Sequence, residues 1–355
     1  MERMTIFFIV FFLTAVWFLL GRTPSSQLPA ASKISSGEVI RNIGEKKNIG
    51  YVAPRSLLPF DEYPVKLVGK IPLLQPQEPP PAPIFKENAA PLLLEAGGAE
   101  ALFLQNEGRT FLLFEKESMR RFSIASITKL MTALVAAQHF PPEEIITISH
   151  RAAGSGEQGF FGEGQKIPLR DLLGLLLVGS RNDAASAIAD AAGRDFFLGE
   201  MNRKAQEIGL RDTFFVNPTG LDPFPAGGIM NYSTADDLGR FAVYLLRQHK
   251  DIFETTLLPE YRFSGEGRGL AVSNTNEFLF EEGLPFTVAG GKTGETRSAK
   301  KNLLLIARTP GIDGFLIGVV LYAEDRVREM KKLLTWVLES YEWKLPERGA
   351  RRFGG

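Results

Sequence analysis

The sequence predicts an α+β domain in the C-terminal part of the chain. Three observations carry this: strand-like segments occur early and again late, the stretch between them has helical periodicity, and its apolar runs are too short to span a membrane. Strands from the two ends of the domain thus complete one sheet, with helices between them in sequence.

In chain order, Ala101–Leu104 and Thr110–Phe114 are short runs rich in aromatic and aliphatic residues. The turn residues Asn106-Glu107-Gly108 separate them, so they read as a hairpin. Ser126–Phe140 is rich in Leu, Met and Ala and is stopped by Pro141-Pro142, which predicts a helix. Leu172–Val178 reads as a buried helix. Further helices are expected over Asp183–Ala192, Phe197–Ile208 and Thr234–Gln248. Strand character returns at Lys301–Ala307 and Phe315–Ala323, followed by an amphipathic helix from Val327 to Trp343.

Before this domain lie two segments of different character. Met4–Leu20 is an almost unbroken apolar stretch, about long enough to cross a bilayer core as a helix. Trp17-Phe18-Leu19-Leu20 runs straight into Gly21-Arg22 without small residues for cleavage, which favours an uncleaved anchor over a removed signal peptide. Thr23 to Pro91 lacks sustained periodicity and culminates in a proline-rich stretch from Gln75 to Pro83, the composition of an extended spacer. The expected organisation is therefore a membrane anchor or signal segment over 1–22, a linker over 23–91, the folded domain over 92–345 and a tail over 346–355.

The 355 residues carry 41 Lys plus Arg against 41 Asp plus Glu, so net charge gives no reason to expect nucleic acid as a partner. Cysteine is absent, which excludes a disulfide framework, a thiol nucleophile and cysteine-based zinc sites. His139, His150 and His249 lack the spacing that places two metal ligands on one helix face, so no metal or other cofactor is expected. The same scarcity weakens a Ser-His-Asp arrangement, and no Gly-x-Ser-x-Gly elbow is present.

Two Ser-x-x-Lys tetrapeptides remain. Ser126-Ile127-Thr128-Lys129 opens a predicted helix, which places Ser126 at the positive helix end and Lys129 one turn on, within reach of its hydroxyl. Ser298-Ala299-Lys300-Lys301 leads into a strand, where residues three apart face opposite sides. A serine hydroxyl needs a base, and a lysine amine can serve once burial or a second cation removes its charge. Lys292, in Gly290-Gly291-Lys292-Thr293-Gly294, is the best candidate for that cation, with Thr293 beside it suited to a substrate carboxylate. A phosphate loop would need glycine at Phe286, so that alternative fails. Gly154–Gly159 matches a Gly-x-Gly-x-x-Gly pattern but lacks a following helix and an acidic ribose partner. Ser180-Arg181-Asn182 taken alone reads as a helix cap. The order Ser-x-x-Lys, Ser-x-Asn, Lys-Thr-Gly is the arrangement of penicillin-binding proteins and active-serine β-lactamases.

With these motifs the sequence resembles the D-alanyl-D-alanine carboxypeptidases, the low-molecular-mass penicillin-binding serine peptidases. Ile124–Ala133, Asn217–Asp222, Tyr232–Asp237, Asn274–Asn276 and Leu333–Trp336 extend the resemblance over about Glu100 to Trp343. It implies a five-stranded antiparallel sheet flanked by helices, with a helical subdomain and the site in the groove between them, as in β-lactamases and transpeptidases. It also implies Ser126 as nucleophile, Lys129 as base and Ser180 as proton relay. Asn182 would hold the substrate amide, Lys292 and Thr293 the terminal carboxylate, and the N–H groups of Ser126 and Glu295 the oxyanion. The implied partners are peptidoglycan stem peptides, β-lactams as covalent inhibitors, and a membrane through the N-terminal segment, with the domain outside the cytoplasm. Alternatives of the same fold are a D,D-endopeptidase, a β-lactamase and a non-catalytic wall-binding or penicillin-sensing protein. No convincing Glu-x-x-x-Asn loop supports a β-lactamase.

Three positions depart from the family pattern. Arg181 is bulky for its place between serine and asparagine and is expected to narrow the groove. Glu295 sets an acid beside the expected carboxylate site unless it turns away or pairs with Arg297. Ser298-Ala299-Lys300-Lys301 lacks the usual Ala-Gly step. The few residues after Trp343 leave attachment to the N-terminal segment.

Overall fold

The computed structural model describes residues 82–106, 108–155, 160–223, 227–265 and 268–343. The apolar segment Met4–Leu20, the linker up to Pro81, the tail and most of the Gly154–Gly159 pattern lie outside them.

Five strands form the central sheet: β1 (Gly98–Gln105), β2 (Thr110–Lys116), β3 (Thr287–Thr296), β4 (Lys300–Arg308) and β5 (Gly314–Ala323). Their order is β3-β4-β5-β1-β2, every neighbour antiparallel, so β1 from one end of the domain pairs with β5 from the other. All eight residues of β1 are buried, because both faces of the sheet are covered. Leu102 and Leu104 of β1, Leu304 and Ile306 of β4 and Val319 of β5 point into one core. Ala101, Phe103, Leu303, Leu305 and Val320 point into the other. This is the period-two alternation of strands, applied to two apolar faces at once.

Helices α1 (Thr128–His139), α2 (Leu169–Leu177), α3 (Asn182–Ala192), α4 (Arg194–Ile208), α5 (Ala235–Gln248) and α6 (Lys250–Thr255) share the first core. Nine consecutive residues of α1, Thr128 to Ala136, are buried, so this helix is the centre of the helical part rather than a surface layer. Helix α7 (Arg326–Ser340) covers the opposite face through Met330, Leu333, Leu334 and Val337. It lies so close that any side chain at Gly318 of β5 would collide with Met330.

The predicted elements are present, with shifts of a few residues at their ends. Thr234, expected as the first residue of a helix, is instead the N-cap of α5, its hydroxyl accepting from the Asp237 N–H at 3.0 Å. The last helix ends at Ser340 rather than Trp343, because Tyr341–Glu342 extends and pairs with Ile84–Phe85. Ile84–Phe85 lies in the stretch read as linker, and its neighbour Lys86 donates from its backbone to the Ser340 carbonyl at 2.9 Å. An unpredicted hairpin, Glu260–Gly265 with Arg268–Ser273, stands beside α2. Its Tyr261 ring occupies the space a side chain at Gly174 would need, and its hydroxyl donates to Asp171 at 2.8 Å.

Candidate active site

Ser126 sits in a single 3₁₀ turn, Ala125–Ile127, that runs directly into α1. Its neighbours Ala125 and Ile127 are buried while Ser126 is partly exposed, so the turn pins the backbone and presents the hydroxyl. Ala125 is held at φ +46°, a left-handed conformation unfavourable for a residue with a Cβ. The surrounding chain enforces it. Gly220, at φ +82°, lies against the Ala125 carbonyl so closely that any side chain there would collide with it. On the other side a Cβ on Gly294 would come within 2.6 Å of the Ile124 carbonyl oxygen. Two glycines thus let two backbone segments press on the turn that carries Ser126.

Lys129 follows one turn later and is fully buried. Its Nζ lies 2.7 Å from Ser126 Oγ, 2.8 Å from Asn182 Oδ1 and 2.7 Å from the Thr219 carbonyl oxygen. The last two atoms can only accept. A neutral amine has two hydrogens and one lone pair, so both hydrogens go to Asn182 and Thr219. The lone pair is then left facing the Ser126 hydroxyl, the arrangement a general base requires. Burial, and then the charge of Lys292, hold the Lys129 pKa well below that of an ordinary lysine.

The second half of the cluster comes from the α2–α3 junction and β3. Ser180, at φ +56°, accepts from Lys292 Nζ at 2.9 Å. Asn182 opens α3 and turns its carbonyl oxygen to Lys129, so the helix-cap reading of Ser180-Arg181-Asn182 does not hold: the N-cap is Arg181, without a side-chain cap. Lys292 is buried in β3, and burial followed by the Arg326 charge lowers its pKa to about 7. Thr293, also buried, shares a hydrogen bond of 2.6 Å with Thr275. Ser126, Lys129 and Asn182 are therefore joined by hydrogen bonds, as are Ser180 and Lys292, whose Nζ also donates to the Thr293 carbonyl at 3.2 Å, whereas the Thr293 hydroxyl and Glu295 bond outside this set.

Sequence reasoning missed the groups that hold Lys129 from below. The Thr219 carbonyl is placed by Asn217, whose Oδ1 accepts from the Thr219 and Gly220 N–H groups at 3.1 and 2.7 Å. Buried Asn231 fixes that loop to α1, donating to Thr128 Oγ1 at 2.9 Å and to the Asn217 carbonyl at 2.8 Å. Asn217-Pro218-Thr219-Gly220 has the composition of an Asx-type turn, which was the available signal. Nothing local marked which carbonyl it would present.

A profile of the D-alanyl-D-alanine carboxypeptidase family, peptidase family S11, matches residues 93–325. The chain belongs to this family. It is 30% identical over 243 residues to D-alanyl-D-alanine carboxypeptidase DacF of Bacillus subtilis, covering 65% of this chain and 60% of that protein. The chain thus spans about three fifths of that relative's length. It is 33% identical over 232 residues to a D-alanyl-D-alanine endopeptidase of Pseudomonas aeruginosa, covering 62% of this chain and 71% of that one. Among solved structures, ampicillin-bound penicillin-binding protein D2 of Listeria monocytogenes superposes with a TM-score of 0.60 at 27% identity, covering 70% of this chain and 99% of that chain.

For a member of this family, the three unusual positions are accommodated as follows. Arg181 is buried, with its Nε donating to Asp183 at 3.1 Å and its guanidinium 3.8 Å from the Phe160 ring centroid. Its bulk is thus absorbed by an ion pair and a stacked ring. Glu295 pairs with Arg326 at 3.1 Å, and Arg326 also binds Glu277 at 2.5 Å. The partner is therefore Arg326 from α7 and not Arg297, because α7 begins beside the end of β3. At the β3–β4 turn, Lys300 takes φ +52° in the absence of a glycine. Ser298, in that turn rather than in a strand, donates its backbone N–H to Asp222 at 3.0 Å. The second Ser-x-x-Lys thus starts in a turn and ends in β4. Among the described residues no group of His, Asp and Glu could hold a metal ion.

Proposed function

We propose that this protein is a serine D-alanyl-D-alanine carboxypeptidase that trims peptidoglycan stem peptides through an acyl-enzyme on Ser126. The single observation that carries the reading is the Lys129 amine, buried and held by two obligate acceptors with its third contact on Ser126 Oγ. Lys129 takes the hydroxyl proton as Ser126 Oγ attacks the carbonyl carbon between two terminal D-alanines. The N–H groups of Ser126 and Glu295 receive the developing oxyanion, a contribution of roughly 3–4 kcal/mol for each donor in comparable sites. Lys292 and Thr293 bind the terminal carboxylate, and Asn182 holds the substrate amide. Ser180, whose oxygen already accepts from Lys292, passes its own hydrogen to the departing amine and takes up the proton held on Lys129, which leaves the serine hydroxyl intact and Lys129 neutral. Water then attacks the ester, with Lys129 again as base, and Ser126 is restored. β-Lactams enter the same path as slowly released acylating agents.

The relative named an endopeptidase, at 33% identity, favours a second reading in which the same serine cleaves crosslinked peptides. We also place the catalytic domain outside the cytoplasmic membrane, tethered by residues 1–22, since Met4–Leu20 is apolar enough to span it. Mass spectrometry after brief exposure to penicillin should find one adduct, on Ser126. The labelled protein's unmodified counterpart should release D-alanine from a peptide ending in D-Ala-D-Ala. An adduct on another residue overturns the nucleophile assignment. A penicillin-reactive protein that cleaves only crosslinked peptides establishes the second reading instead.

A further inference from the structure

At the edge of the sheet opposite β3, a cavity of about 560 Å³ opens between β1, β2 and α5, a size in the range of small-molecule sites. Leu102, Leu112 and Val243 give it apolar walls, and Glu100 of β1 lines it from below. Glu100 is 2% exposed. Gly239 of α5 makes room for it, since any side chain there would strike the Glu100 carboxyl.

The other charged groups around the cavity have partners of their own. Arg240 grips Asp236 with two hydrogen bonds, of 2.7 and 3.0 Å. Glu115, opposite Glu100 on β2, accepts from the Ser118 hydroxyl at 2.9 Å, and Asp237 accepts from Thr213 at 2.7 Å. At the rim Arg247 donates to the Gly108 carbonyl and to Thr110. Among the described residues nothing donates a hydrogen bond to the Glu100 carboxyl or forms an ion pair with it. Buried polar groups are nearly always satisfied, so a carboxyl left open toward a cavity must find its donor there, from water or from a guest.

We propose that this cavity is a second ligand site for a small organic ammonium, its charged head on Glu100 and its hydrocarbon part against Leu102, Leu112 and Val243. Around Glu100 itself the acids Asp236, Asp237 and Glu115 outnumber Arg240, and Arg247 at the rim is engaged by Gly108 and Thr110, which favours a cation beside the carboxyl. An anion would meet those acids, and a purely apolar guest would leave the carboxyl unpaired. Burial, and then Asp236, push the Glu100 pKa up to about 8, so near neutral pH the empty site holds a proton. An ammonium displaces that proton, and its affinity rises as the pH approaches 8.

Titration calorimetry of the full chain with n-butylammonium chloride at pH 7, repeated in buffers of different ionisation enthalpy, tests this. The expected result is saturable binding at one site with release of roughly one proton. Glu100→Gln should weaken binding about tenfold or more, since it removes a charge-assisted hydrogen bond. Leu112→Trp, which fills the cavity from its open side, should abolish binding while leaving Glu100 in place. Glu100→Gln should melt no lower than the parent at pH 8: folding above the unfolded pKa requires Glu100 to take up a proton, and Gln does not. Absence of saturable binding to the parent protein overturns the proposal. So does binding that survives Glu100→Gln undiminished in a folded variant.

Discussion

At the scale of single residues, Lys129 is fully buried with all three of its polar contacts fixed. It is the charged residue in the fully buried stretch of α1, and burial would be costly if its amine stayed charged. Its neutral form fits, with Asn182 and Thr219 taking its hydrogens. Replacing Lys129 by alanine should slow penicillin acylation by roughly 10²–10⁴-fold, the usual contribution of a general base, measured by stopped-flow labelling. For the carboxylate-binding role proposed for it, Lys292 needs the opposite state, because a cation binds a carboxylate. Its pKa of about 7 means that it is charged below that pH and neutral above it. The value of kcat/KM for a D-Ala-D-Ala peptide should therefore fall as pH rises through about 7. Lys292→Arg should remove that alkaline limb, since guanidinium keeps its proton throughout.

At the scale of elements, the turn carrying Ser126 depends on its neighbours more than on its own sequence. Ala125 in a left-handed conformation has no local reason to be there, and Gly220 supplies one by packing against its carbonyl. Gly220→Ala should cost about 1–2 kcal/mol for the left-handed backbone alone. Collision with the Ala125 carbonyl adds to that and should abolish penicillin labelling at temperatures where the variant remains folded. By contrast Thr234 caps α5 away from the Ser126 turn. Thr234→Ala should lower unfolding stability by about 1 kcal/mol in urea titrations and leave the acylation rate unchanged. Apolar runs bounded by turn residues or proline, such as α1 and β1, were legible in the sequence. The hairpin around Tyr261 was not, because its strands mix charged, glycine and apolar residues and its place is set by docking on Gly174.

At the scale of the whole domain, α7 on one face of the sheet reaches the site on the other through Arg326. Its guanidinium holds Glu295 near the end of β3 and Glu277 of the 3₁₀ turn Glu277–Phe280, and it adds to burial in depressing the Lys292 pKa. Arg326→Met removes a repelling cation, so the Lys292 pKa rises. The alkaline limb of kcat/KM should move to higher pH, and an unmoved limb would show that α7 does not tune the site. The Ser126 cluster joins segments far apart in the chain: the turn before α1, the α2–α3 junction and β3. Packing of α1 into the first core and of β3 against β4 brings them within hydrogen-bonding distance.

The sequence alone was enough for the α+β class and most of the elements, and it singled out Ser126, Lys129, Ser180, Asn182, Lys292 and Thr293 as candidates. Helix and strand periods and the ordered motifs are local properties, readable without coordinates. Only the tertiary structure decided that the Thr219 carbonyl completes the Lys129 site, that Arg326 rather than Arg297 pairs with Glu295, and that Arg181 is drawn into a buried ion pair. It alone also showed Glu100 open to a cavity, since β1 reads as a strand whatever lies across from it. In each case the deciding quantity is a distance between side chains or carbonyls remote in sequence, set by how sheet and helices close on one another.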